Sequence, residues 1–93
     1  MVVLTQDDIR EQLGNLDGWA LTSEGIRKKY VLNDFRSAIN LVNRVADLAE
    51  EADHHPDILI SYNRVTFTLI THSAGGITEK DFDLAARIEA IAP

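Results

Sequence analysis

The sequence predicts an α+β fold. It is a two-layer sandwich in which a four-stranded antiparallel sheet carries helices packed on one face, in the order α-β-β-α-β-β-α. Three observations carry this expectation. Apolar residues recur at threes and fours between Asn33 and Asp53; segments on either side alternate in twos about short turns; and a Thr-x-x-Asp pattern opens an apolar run near each end of the chain. Ninety-three residues with no repeat and no Gly/Ser-rich tract make one domain, residues 1–93, with a thin core that self-association would help.

The first element follows from "LTQDDI". Thr5 is placed as an N-cap with Asp8 as its box partner, and Leu4 and Ile9 have the spacing of a hydrophobic staple, so a short helix is expected over about residues 6–13. In "GWALTSEGIRKKYVL", Trp19 and Leu21 alternate, then Ile26, Lys28 and Tyr30, about the turn "TSEG"; this reads as a hairpin. Phe35, Ala38, Ile39, Val42, Val45, Ala46, Ala49 and Ala52 then form one apolar stripe on a long helix, with Asn33 as its expected cap and Asp34 suiting the dipole. That helix should end near Asp53, because His55 precedes Pro56 and a residue before proline avoids the helical region.

A second hairpin follows. Ile58, Ile60 and Tyr62 alternate against Val65, Phe67 and Leu69, and a turn at Asn63 and Arg64 pairs 62 with 65, 60 with 67 and 58 with 69. Continued towards the strand ends, this register sets Pro56 against Thr71 and His55 against His72. Finally "GGITEKDF" repeats the first cap: Thr78 as N-cap, Asp81 as box partner, Ile77 and Phe82 as staple. The last helix is expected to bury Phe82, Ala85, Ile88 and Ala92, with Leu84 and Ile91 on its flank.

Composition removes several classes of function. Without cysteine there is neither a disulfide framework nor thiolate metal ligation, and a reducing, cytoplasmic setting is expected. "MVVLTQDDIREQ" lacks the basic start and apolar core of a signal peptide, and no apolar run reaches the length of a membrane span. A net charge of -6 argues against direct nucleic-acid binding, which relies on basic side chains. The cluster "IRKKY" is expected to be a solvated strand face.

What remains unexplained by the fold is the distribution of histidine. The chain has three, His54 and His55 in "EADHHPDI" and His72 in "LITHSAGG", and the predicted hairpin brings the two groups to one end of the sheet. Imidazole titrates close to neutrality, so such a cluster can donate and accept protons at physiological pH. Three imidazoles with an open fourth position would also suit zinc. Adjacent strand residues point to opposite faces, and no His-x-x-x-His spacing is present, so a metal-free acid/base site is the expectation. In the plainer reading, His54 and His55 merely end a helix and His72 packs at a strand end.

"HHP", then Tyr62 and Asn63, then "VTFTLITH" and "GGITEKDFDLAARI", with "GW" early in the chain, resemble the pterin-4a-carbinolamine dehydratase family, also called 4a-hydroxytetrahydrobiopterin dehydratase. The resemblance spans nearly the whole chain and is most specific from Glu50 to Ile88. It implies a lyase with no cofactor and no metal. The substrate would be a 4a-hydroxytetrahydropterin, dehydrated to the quinonoid dihydropterin, as in tetrahydrobiopterin recycling. By the family pattern His54 and His72 are the acid/base pair and His55 binds the pterin or shares the proton transfer; the predicted register instead pairs His55 with His72, and both assignments stand.

The same resemblance assigns a set of substrate-binding candidates. Thr71, Ser73 and Asp53 flank the histidines and are placed to meet the donor edge of a pterin. Asp53 reads equally as a solvated helix-end residue and as one that orients an imidazole, and Glu50, which resembles a family acidic position, reads equally as a plain surface residue. Asp81 is explained by its capping box, although the family has an acid near the pocket there. Trp19 reads as core, with pocket closure as its second reading. Ile70 and Ser73 stand where some relatives carry other residues, at the expected pocket mouth. The family further implies a homodimer or homotetramer, for which "IRKKYVL" offers an uncapped edge strand unless its lysines protect it. The alternative function is a non-catalytic dimerisation module or transcriptional coactivator of the same fold, the role animal relatives take with a homeodomain factor.

Overall fold

The computed structural model describes residues 2–93. Its elements come in the expected order: α1 (Gln6–Leu13), β1 (Ala20–Thr22), β2 (Gly25–Val31), α2 (Phe35–Ala52), β3 (Asp57–Ser61), β4 (Arg64–Leu69) and α3 (Glu79–Ile91), with a 3-10 turn at His72–Ala74 before the last helix. The strands form one antiparallel sheet in the order β1-β2-β4-β3. One face presents Ile26, Tyr30, Val65, Phe67 and Leu69 to the helices, which answer with Ala38, Leu41, Val45 and Ala49 from α2 and Phe82, Leu84, Ala85 and Ile88 from α3, all buried. The other face, with Arg27, Lys29 and Thr66, is open to solvent on part of each side chain. Phe67 sits at the centre with its ring edge-on to Tyr30 at 5.9 Å; truncating it to alanine costs about 3–5 kcal/mol in a core of this kind.

Both Thr-x-x-Asp caps form as read. Thr5 and Asp8 exchange backbone bonds at the start of α1, and Thr78 and Asp81 do so at the start of α3. The cap of α2, however, is Asp34 rather than Asn33: Asp34 is extended, and its carboxylate accepts the Ser37 N–H at 2.8 Å. That N–H holds the Asp34 carboxyl below the usual range.

The stripe on α2 proves to be two faces. Ala38, Leu41, Val45 and Ala49 face the core and Leu48 packs against it, whereas Phe35 and Ala46 are exposed. A run of apolar residues wider than one helix face cannot all be buried against a single layer. At the C-terminus of α3, Ala92 is only half-buried, beyond the last helical turn.

The second hairpin departs most from expectation. Ile58 pairs with Phe67 and Ile60 with Val65, so the turn residues are Tyr62 and Asn63, and the register lies two positions from the predicted one. A shift of two keeps every side chain on its face, so alternation could not detect it. What selects the turn is a tertiary contact: the Asn63 side-chain amide donates to the Leu32 carbonyl at 2.9 Å, and the Leu32 N–H donates to the Asn63 carbonyl at 2.8 Å. In consequence Tyr62 adopts a left-handed φ of 53°, unusual for a bulky residue.

The segment "IRKKYVL" is likewise misjudged as an edge. β2 is interior, hydrogen-bonded to β1 on one side and β4 on the other, and the sheet edges are β1 and β3. Nor are its basic residues all solvated. Lys28 lies on the helix-packed face, where its ammonium meets the Glu89 carboxylate and the Asp17 carbonyl. Among the described residues no helix is long and apolar enough to cross a membrane.

Candidate active site

The site is built where α2 gives way to β3. Asp53 takes a left-handed conformation, φ 50°, and caps the helix through its N–H. The His54 N–H still reaches back to the Ala49 carbonyl at 3.0 Å. This reversal sends consecutive histidines opposite ways: His54 is 8% exposed, and His55 stands in solvent.

Beneath the surface, His54 meets the start of α3. Its Nε2 lies 2.6 Å from Asp81 Oδ1, and Asp81 is fully buried. The other carboxylate oxygen accepts the Thr78 N–H at 2.9 Å and the Thr71 hydroxyl at 2.8 Å. Thr71 and Thr78 are themselves buried, with their hydroxyl oxygens 2.8 Å apart. Four side chains from three parts of the chain thus share one polar knot. A carboxylate enclosed in this way must have donors at both oxygens, since an unpaired buried charge costs several kcal/mol.

Around the rim, His55 Nε2 pairs with the Glu50 carboxylate, one turn back on α2; both are exposed. His72 opens the 3-10 turn after β4 and is exposed, as is Ser73 beside it. Their loop is closed by an isolated bridge between Thr71 and Gly76, and Gly75 takes φ 77°, a conformation that favours glycine. The three histidines, Asp53, Thr71 and Ser73, with Ile70 and Lys80, surround a cleft of about 290 Å³. A larger hollow, about 590 Å³, lies on the open face of the sheet by Arg27, Lys29, Asp57 and Leu59. It holds no histidine, and Arg27 there is already engaged by Glu24 and Thr68. The acid/base groups single out the smaller cleft.

The structure therefore gathers all three histidines, but not by the predicted route. His55 and His72 are not cross-strand partners, nor are Pro56 and Thr71, because β3 begins at Asp57, β4 ends at Leu69 and the register is shifted. With 57 opposite 68, counting on sets position 54 opposite 71, which agrees with the shared bond network of His54 and Thr71 through Asp81. Asp81 is the box partner; it does not line the cleft but lies behind it, fully buried and bonded to two of the lining side chains, His54 and Thr71. Glu50 stands at the rim through His55. Asp53 lines the cleft and, among the described residues, bonds no imidazole through its side chain.

Trp19 lies elsewhere: buried just before β1, its indole N–H donates to Glu89 at 3.1 Å, near the far end of α3. Sequence reading missed Thr78 and Lys80. Thr78 was legible only as a cap, and the signal that it does more is the nearness of a buried "TH" to the Thr-x-x-Asp box. Among the described residues no three His, Asp or Glu side chains are grouped to hold a metal ion.

Comparison with known proteins gives the family. The family model described as "Pterin 4 alpha carbinolamine dehydratase" matches residues 2–91. Proteins carrying the name "Putative pterin-4-alpha-carbinolamine dehydratase" include one from Acidobacterium capsulatum, 52% identical over 98% of this chain and 99% of its own. Another, from Sulfurisphaera tokodaii, is 43% identical over 98% of each. A crystal structure from Brucella melitensis, described as a transcriptional coactivator/pterin dehydratase, superposes with a TM-score of 0.94 at 39% identity, covering 99% of this chain and 100% of that one. A pterin dehydratase-like protein described as a RuBisCO assembly factor in the alpha-carboxysome, at 24% identity and a TM-score of 0.66 over 78% of this chain and 87% of its own, shares the fold alone. The chain belongs to the pterin-4-alpha-carbinolamine dehydratase family.

Proposed function

We infer that this protein dehydrates a 4a-hydroxytetrahydropterin to the quinonoid dihydropterin, and that it serves tetrahydrobiopterin recycling. The observation that carries the reading is the convergence of three imidazoles on one cleft, one of them backed by a fully buried carboxylate. The reaction breaks the C4a–OH bond and forms a C4a=N5 double bond. A proton must reach the departing oxygen, and the N5 proton must be removed, so an acid and a base on one ring system complete it.

His54 suits the base. Its Nε2 faces Asp81; with the ring proton on that nitrogen, Nδ1 is left to accept the N5 proton, and the carboxylate then stabilises the imidazolium that forms. His72, exposed across the same cleft, delivers the proton to the leaving hydroxyl. His55, steadied by Glu50, orients the pterin, while Ser73 and the backbone of its loop meet the donor edge of the ring. Asp53, which also lines the cleft, adds an acceptor for the 2-amino group.

The test is the dehydration of freshly generated 4a-hydroxytetrahydropterin, followed by ultraviolet absorbance after metal chelation. Acceleration by the wild type, lost in His54→Ala and His72→Ala, is the expected result. A wild-type rate equal to the spontaneous one would sink the assignment. It would turn attention to the coactivator role ascribed to the Brucella melitensis protein, as a binding module without catalysis.

A further inference from the structure

We propose that Thr71 and Thr78 are positioning residues. Their two hydroxyls form a one-way chain that keeps His54 in the Nε2–H tautomer and leaves Nδ1 as the nitrogen presented to substrate; the catalytic part of this rests on the dehydratase reading above.

The direction of the chain follows from counting protons. Asp81 Oδ2 accepts the Thr71 hydroxyl at 2.8 Å, which uses the only proton Thr71 has to give. The 2.8 Å contact between the two hydroxyls must then be donated by Thr78. Thr78 in turn accepts, from the Lys80 N–H at 3.3 Å. Every hydroxyl gives once and receives once, running from the first turn of α3 through both threonines into the carboxylate. With the Thr78 N–H also on Oδ2 at 2.9 Å, that oxygen is fully occupied by donors. A proton held by Asp81 would have to sit on Oδ1, in the 2.6 Å contact with His54 Nε2. The chain thus favours the arrangement in which His54 holds that proton and donates it.

The remaining ring nitrogen then has a defined place. Among the described residues no protein group bonds His54 Nδ1, and no buried side-chain nitrogen or oxygen lacks a partner, so Nδ1 reaches solvent; His54 lines both the histidine cleft and a second hollow of about 170 Å³ beside Lys80, Asp83 and Arg87. This gives Thr71 a different part from the one its place beside His72 first indicates. At 3% exposure, with its proton given to Asp81 and one lone pair taken by Thr78, its hydroxyl has a single acceptor position left for a ligand and no proton to donate to one.

The experiment has an arm that needs no activity. Long-range proton–nitrogen correlation spectra of the wild-type imidazoles, assigned by the loss of signals in His54→Ala, are expected to show the neutral His54 ring protonated at Nε2 and unprotonated at Nδ1. A wild-type His54 protonated at Nδ1 instead overturns the proposal outright. In Thr71→Val, which keeps the shape and removes the hydroxyl, the tautomer is expected to shift towards Nδ1–H, with kcat falling about tenfold at an unchanged KM. Thr71→Ser, which restores the hydroxyl, is expected to recover both. A Thr71→Val protein with the wild-type tautomer and kcat also overturns it. If wild type lacks dehydratase activity, the functional reading fails while the tautomer still decides the hydrogen-bond chain.

Discussion

The two ends of the chain carry the same four-residue grammar and put it to different uses. At α1, Thr5 and Asp8 exchange bonds of 3.1 and 3.4 Å in full view of solvent, and among the described residues the carboxylate has no other partner. At α3, Thr78 and Asp81 form the same box with no exposed surface, and the carboxylate also receives Thr71 and His54. Local sequence dictates the cap in both places. What differs is that the ends of α2 and β4 arrive over the second cap and bury it, so one ordinary helix start becomes the support of a buried imidazole. A third carboxylate sharpens the contrast. Glu89, two turns along α3 from Asp81, gathers the Trp19 indole, the Lys28 ammonium and the Tyr30 hydroxyl but no imidazole.

The largest difference is expected between the two box acids. Asp81→Ala leaves Thr71, the Thr78 N–H and His54 unpaired in the interior, and should lower stability by roughly 3–5 kcal/mol in denaturant titrations. Dehydratase turnover in whatever protein folds should fall about 10²–10⁴-fold. Asp8→Ala should cost under about 1 kcal/mol and leave turnover unchanged. Equal losses at the two sites would erase the distinction drawn between them.

Next come the cap hydroxyls. Thr5→Ala is expected to cost about 1 kcal/mol, the worth of an exposed N-cap. Thr78→Ala should cost roughly 2–3 kcal/mol, because the Lys80 N–H and Thr71 also lose a partner in a buried place. Chemical denaturation of both variants, with slopes compared, reads the difference directly.

A smaller effect separates donors from chemistry. Burial pushes the Glu89 carboxyl up, but the bonds from Lys28, Tyr30 and Trp19 together outweigh it and hold the group below its usual value. A depressed carboxyl contributes stability that is fully present above its unfolded pKa and is lost as pH falls through the lower folded value. Glu89→Gln should therefore flatten the loss of stability on acidification, measured by thermal unfolding from neutral pH downwards, with little change in turnover. Burial, then the bond to Glu89, raises the Tyr30 phenol well above its ordinary range, so it remains a donor through that titration.

The smallest effect should come from the rim. Glu50→Gln weakens an exposed pair with His55, of a kind worth about 0–1 kcal/mol, and is expected to raise KM severalfold at most with kcat nearly intact. A collapse of kcat would move Glu50 from orientation into the chemistry.

Much of this was legible in the chain alone. The two threonine caps, the end of α2 at Asp53 and the helix and strand order rest on signals spanning a few residues, where side chain and backbone decide together. Histidine clustering pointed to the site. The register of the β3–β4 hairpin was not legible, since a two-residue slip preserves alternation and only Leu32 pins Asn63. The interior position of β2 was equally hidden: strand order is set by long-range pairing, and "IRKKYVL" reads the same at an edge or in the middle.

By itself, then, the sequence determined the elements, their caps, the alternation that makes one sheet face apolar, and the three imidazoles available for proton transfer. Tertiary structure decided which of two identical caps would be buried, that His54 would turn inward and His55 outward, and that Thr71 would feed Asp81. The reason is physical. A cap or a periodicity is settled by neighbours within one turn, whereas the partners of a buried carboxylate come from wherever packing closes off water, and those contacts have no local pattern to announce them.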